Sequence, residues 1–124
     1  MSRFSEPAYA LFRIVLGALF AMHGAQKLFG VLGGTVVPTG SQMWIGGVIE
    51  LCCGLAICVG FFANWAAFLA SGTMAVAYFQ FHQPKGTLPI QNGGELAVVF
   101  CFAFLVIATR GAGIWSLSGR KKSS

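Results

Sequence analysis

Long apolar segments alternate with short polar interruptions along this chain. They run from about Ala8 to Leu28, Met43 to Phe62, Asn64 to Phe81 and Gly94 to Thr109. Each is close to the ~20 residues that a helix needs to cross the core of a bilayer. Runs of that length exceed strand length, and no in–out alternation interrupts them, so the pattern predicts helices and not a barrel. The reading is all-α: one domain over residues 1–124, folded as a four-helix transmembrane bundle.

The interruptions carry end signals. Ser5-Glu6-Pro7 offers a cap, an acid for the positive helix end and a proline tolerated in a first turn. Phe29 to Gln42 is rich in Gly, Thr and Val and reads as a re-entrant or short extended piece. Ala63-Asn64 leaves room only for a tight hairpin between the second and third segments. His82 to Gly93 holds Pro84, Gly86 and Pro89 and cannot be a continuous helix. The first segment ends in Lys27-Leu28-Phe29-Gly30 instead of a small-x-small cleavage site, so it reads as a retained span. Small residues recur at helical spacing, Gly46, Gly47 and Gly54 in the second segment and Ala63, Ala67 and Ala70 around the third. They permit close helix approach.

Composition names the solvent. Hydrophobic residues make up 56% of the chain and charged residues 9%, against roughly 25% charged in a soluble domain. A surface so poor in charge is suited to lipid. The net charge of +5 does not form a nucleic-acid stripe, because the basic residues sit at segment ends and in a terminal Arg120, Lys121, Lys122 group beside anionic lipid. Cys52, Cys53, Cys58 and Cys101 form no C-x-x-C pair and read as small buried hydrophobes.

Four spans place both termini on one side. Arg3, Arg13, Arg110, Arg120, Lys121 and Lys122 fall there, and Lys27 and Lys85 on the other. The six-to-two bias predicts cytoplasmic termini.

That orientation brings the polar residues to one height. Glu50 is the only charge between Lys27 and Lys85, and it lies inside the second span. A lone carboxylate there costs several kcal/mol, about 2.5–3.5 on insertion scales, which makes it a functional-site candidate. His23 and Lys27 share a helix face at the outer end of the first span, and either can bond Glu50. The third span ends at Gln80, His82 and Gln83, and the fourth opens with Gln91, Asn92 and Glu95. His23, Lys27, Glu50, His82 and Glu95 are therefore the candidate pocket, with no metal set among them. Arg13 lies near the cytoplasmic end and is expected to snorkel. A weak echo relates the halves: His23, Lys27 and Gly46-Gly47-x-x-Glu50 against His82, Lys85 and Gly93-Gly94-Glu95.

Several of these elements resemble the DoxX family of small bacterial membrane proteins. They are Arg13-Ile14-Val15-Leu16-Gly17, His23-Gly24-Ala25-Gln26-Lys27-Leu28-Phe29-Gly30, Glu50-Leu51-Cys52-Cys53-Gly54-Leu55, Pro84-Lys85-Gly86, Asn92-Gly93-Gly94-Glu95-Leu96 and Gly113-Ile114-Trp115-Ser116-Leu117. The resemblance spans nearly the whole chain. It implies a four-helix inner-membrane protein, with links to quinone-coupled sulfur oxidation and oxidative-stress complexes. The family's basic residue after the second helix is missing from Phe61-Phe62-Ala63-Asn64.

Two function classes follow. One is a quinone- or quinol-binding subunit of a membrane oxidoreductase, with His23, Glu50, His82 and Glu95 meeting the carbonyl oxygens beside Phe20, Phe29, Phe79 and Phe81. No flavin, haem or cluster motif is present and no covalent cofactor is expected, so electrons would come from a membrane or redox protein partner. The other is a non-catalytic structural or assembly subunit of a larger membrane complex. A proton-linked transporter, which needs oligomerisation, and a His23–His82 haem pair are further readings.

Overall fold

The computed structural model describes residues 2–117 and has no strand among them. A 3-10 turn at Ser2–Phe4 leads into α1 (Ser5–Phe29). Then come α2 (Gln42–Val59), α3 (Ala63–Ala77), the short α4 (Pro89–Asn92) and α5 (Glu95–Arg110). α3 runs on into a π-helical turn at Tyr78–His82 and a 3-10 turn at Gln83–Lys85. The four expected segments correspond to α1, α2, α3 with its π turn, and α5, each end within three residues of its expected place. The basic group Arg120, Lys121, Lys122 lies outside the described residues.

Among the described residues, two helical stretches, Ser2–Phe29 and Gln42–Val59, are long and apolar enough to cross a membrane. Large apolar side chains cover the outside, among them Leu11, Val15, Leu55, Phe68, Val99 and Phe102. Such a coat is what a lipid-facing helix needs and a water-facing one avoids.

Local chemistry sets the ends. Ser41 caps α2, its Oγ accepting the Trp44 amide at 3.2 Å. Ser5 does not cap α1. It is the first helical residue, and Phe4 occupies the cap position with φ −95° and ψ 1°, away from the extended conformation of a side-chain cap. α2 stops where Gly60 turns left-handed at φ 75°, and the hairpin to α3 takes residues 60–62, slightly more than expected. The Phe29-to-Gln42 connection is irregular, with no helix or strand.

The bundle is two close pairs, α1 against α2 and α3 against α5. Along the first seam, Gly17, Gly24, Gly47 and Gly54 let backbone meet backbone. A Cβ on Gly17 would lie 2.5 Å from Cys58 N, and one on Gly24 2.5 Å from Leu51 N. Along the second, Ser71 Oγ donates to Cys101 O at 2.8 Å and Asn64 Nδ2 to Ala108 O at 2.7 Å. Aromatic rings join the pairs: Phe20 of α1 is 4.7 Å from Phe104 and 5.7 Å from Phe100 of α5, centroid to centroid. These three rings, with Ile57, Ala67, Ala70 and Ile107, form the core.

Arg13 does not snorkel. It is wholly buried, and its guanidinium donates to five backbone carbonyls. Ile57 O (3.0 Å) and Cys58 O (3.3 Å) belong to the last turn of α2; Ala112 O, Ile114 O (3.0 Å) and Trp115 O (2.7 Å) belong to the segment after α5. The reason is local. The negative end of α2 and a returning irregular stretch of chain both leave carbonyls without partners, and a five-donor fork satisfies both. Tyr9 Oη donates to Gly111 O at 2.6 Å beside it. Both described chain ends therefore meet at one end of the bundle.

Candidate functional site

At the opposite end from Arg13, α1 finishes with Lys27 and α2 begins. A cation in a helix's last turn suits the carbonyl end of that helix. Lys27 lies against α2 because Gly47 has no side chain, and a Cβ there would sit 3.1 Å from Lys27 Cβ. The lysine thus reaches along α2, and its Nζ donates to Glu50 Oε2 at 2.7 Å. Glu50 is buried inside the bundle at 4% exposure, as a carboxylate at this depth requires. Of the two partners expected for it, His23 and Lys27, the structure selects Lys27. This is the one ion pair between side chains among the described residues. The second carboxylate oxygen, Oε1, is buried and has no hydrogen-bond partner there.

The pair sits on the wall of a cavity of ≈ 1220 Å³ between the helices. Phe20, His23 and Lys27 come from α1, Gly46 and Glu50 from α2, and Ala97 and Phe100 from α5. α3 supplies one long wall that includes Trp65, Phe68 and Gly72. His23 presents its ring edge-on to Phe100, 6.1 Å between centroids at 87°. His82, at the end of the π turn, also lines the cavity, and its Nδ1 is buried without a partner among the described residues. π turns of this kind recur at functional positions because the extra residue re-aims the side chains that follow.

Of the five candidate residues, His23, Lys27, Glu50 and His82 share this cavity. Glu95 does not line it. It is exposed at the start of α5, where a carboxylate favours the positive helix end. Asn92, the last residue of α4, is the buried polar group of that connection instead. Its Nδ2 donates to Tyr78 Oη and Gly86 O, both at 3.1 Å, and its Oδ1 accepts from Gly94 N at 2.8 Å. It ties the third connection to the π turn and so helps place His82. Lys85 lines the cavity as well. Sequence reasoning assigns it to topology and to the echo of Lys27, but not to the candidate pocket. Helices pair as α1 with α2 and α3 with α5, and no ion pair between Lys85 and Glu95 is present among the described residues.

Gln42 Nε2 donates to Gln80 Oε1 across the polar end of the cavity. Among the described residues no three His, Cys, Asp or Glu side chains converge as a metal site.

The DoxX family model matches residues 8–83. An uncharacterized protein of Haemophilus influenzae is 36% identical over 118 residues, which cover 90% of this chain and 88% of that protein. No solved structure matches the chain.

Proposed function

This chain belongs to the DoxX family, and we propose that it is a multi-pass protein of the bacterial inner membrane whose cavity binds the polar head of a quinone or quinol, as one subunit of an oxidoreductase complex. The observation that carries this reading is the ion pair between half-buried Lys27 and buried Glu50 on the wall of a large apolar cavity. An apolar pocket with a few convergent polar groups is the arrangement that fixes an aromatic head by its oxygens. Lys27 has ammonium protons beyond the one given to Glu50, and they suit a ring oxygen. Glu50 and the imidazoles of His23 and His82 are the groups that would exchange protons with a ligand changing redox state. Glu95, at the helix entrance, belongs to the approach and not the wall. The electrons come from a partner protein.

The ligand assignment predicts a loss of binding. Glu50→Ala should abolish saturable binding of a quinone analogue in detergent while the thermal transition shows a folded bundle; Glu50→Gln should keep the fold closer to the parent. Equal binding to the parent and to Glu50→Ala would remove the site assignment. If neither binds any redox ligand, the structural-subunit reading takes its place.

The topology reading puts the Lys27–Glu50 end outward and both termini in the cytoplasm. Arg13 is committed to internal carbonyls, so the bias rests on five basic residues against two. A membrane-impermeant maleimide applied to cells should label Thr39→Cys and spare Ser2→Cys. Labelling of Ser2→Cys alone would invert the orientation.

A further inference from the structure

We infer that the ligand's tail leaves the cavity sideways, into the bilayer, through a window between α2 and α3 held open by Gly46 and Gly72, so the site has room for the tail of a long-tailed amphiphile. This rests on the quinone-type reading above and names the class of ligand within it.

The cavity's rim differs from one side to another. Ile45 of α2 and Trp65, Phe68 and Leu69 of α3 line the cavity, yet each is 50% exposed or more on the outer surface. A residue that is both lining and exposed stands at an opening. This rim is apolar on both helices, as an opening to acyl chains requires; an opening to water carries a polar rim. The end nearest water is bridged by the Gln42–Gln80 hydrogen bond. Exposed Lys85 also lines the cavity near that end, so the two openings differ in kind: one has a polar rim, and the one between α2 and α3 is apolar and suits lipid.

Two glycines stand at the same opening. Gly17, Gly24 and Gly54 are needed for packing, but a Cβ on Gly46 or Gly72 would meet nothing within 4 Å. Both line the cavity. Each costs about 1 kcal/mol of helix propensity against alanine, and no close packing at either position offsets that cost. Their depth fits a passage. Gln42 and Gln80 are bonded and so stand level. Glu50 lies eight residues along α2 from Gln42, and Gly72 eight residues back along α3 from Gln80, each ~12 Å down at 1.5 Å per residue. A head group at Glu50 therefore has the Gly72 gap directly across from it, and the Gly46 gap lies ~6 Å above. The occupant is a single flexible hydrocarbon or isoprenoid tail attached to the head.

The test uses the full chain in nanodiscs of phosphatidylethanolamine and phosphatidylglycerol, with Gly46→Leu and Gly72→Leu. The probes are a benzoquinone with a decyl tail and the same ring with a methyl group in its place. Both variants should melt at or above the parent temperature, since leucine enters open space. The decyl probe should bind about tenfold more weakly or worse to Gly72→Leu, and the methyl probe within about twofold of the parent. If the decyl probe binds the variants as it binds the parent, the tail runs elsewhere and the window inference falls alone. If both probes weaken together, leucine reaches the head site and the window inference also falls. If neither probe binds the parent in a Glu50-dependent manner, the quinone reading falls and takes the inference with it.

Discussion

Replacing Arg13 with leucine should remove much of the stability of this protein, although no acid pairs with it. Five carbonyls from two separate segments accept from one guanidinium. Hydrogen bonds between side chains and backbone in a membrane bundle contribute about 0.6–2 kcal/mol each, so five amount to at least about 3 kcal/mol. Leucine also leaves the buried Ala112 carbonyl in the returning segment without this donor, a further cost. The expected result is a fall in melting temperature of about 10 °C or more in detergent, with early loss of the contact between residues 111–116 and α1. Arg13→Lys should recover less than half. An ammonium has three donors and no planar fork, so it cannot serve Ile57 O and Trp115 O together. A leucine variant melting within about 2 °C of the parent would show that water or lipid headgroups replace the guanidinium.

Arg13 also marks where the sequence stops being legible. The four long helices, with ends within three residues, follow from apolar run length and from glycine, proline and serine at the interruptions, whereas the short α4 does not. Lys27 and Glu50 are legible as partners because depth along a helix can be counted, and the structure brings them to 2.7 Å. Arg13 has no acid at its own height in any helix, so snorkelling is the cheapest reading of the sequence. Its real partners are backbone carbonyls, which every residue has and which no pattern singles out. Those carbonyls come from a turn of α2 and from residues 112–115. The return of that segment depends on contacts such as Tyr9 to Gly111, which form only once α1 and α5 are docked. Glu95 shows the converse. It stands at the right height, but height does not fix azimuth, and α5 turns it outward.

The same azimuthal information separates glycines that look alike in sequence, and it predicts opposite signs for one substitution. Gly54→Ala should destabilise the bundle, whereas Gly72→Ala should stabilise it. Alanine improves helix propensity by about 1 kcal/mol at either site. At Gly72 nothing opposes that gain, because the added methyl meets open space. At Gly54 the methyl would be driven into Gly17 O and Ala21 Cα, 2.7 and 2.8 Å away, and into Ala21 N. These are backbone atoms that cannot rotate aside, so α1 and α2 must separate. Overpacking of a close interface costs about 1–3 kcal/mol, and the packing lost along Gly17 to Gly24 adds to it, so the clash outweighs propensity. Thermal unfolding of both variants in one detergent measures the signs. A Gly54→Ala protein as stable as its parent would mean the seam is looser than backbone contact. The consequence reaches the candidate site. Lys27 and Glu50 hang from the two helices of this seam, and Gly47 meets Lys27 Cβ directly. Opening it by even ~1 Å stretches a 2.7 Å ion pair beyond hydrogen-bond length. Gly54→Ala should therefore weaken Glu50-dependent binding as well as stability, while Gly72→Ala leaves the pair intact.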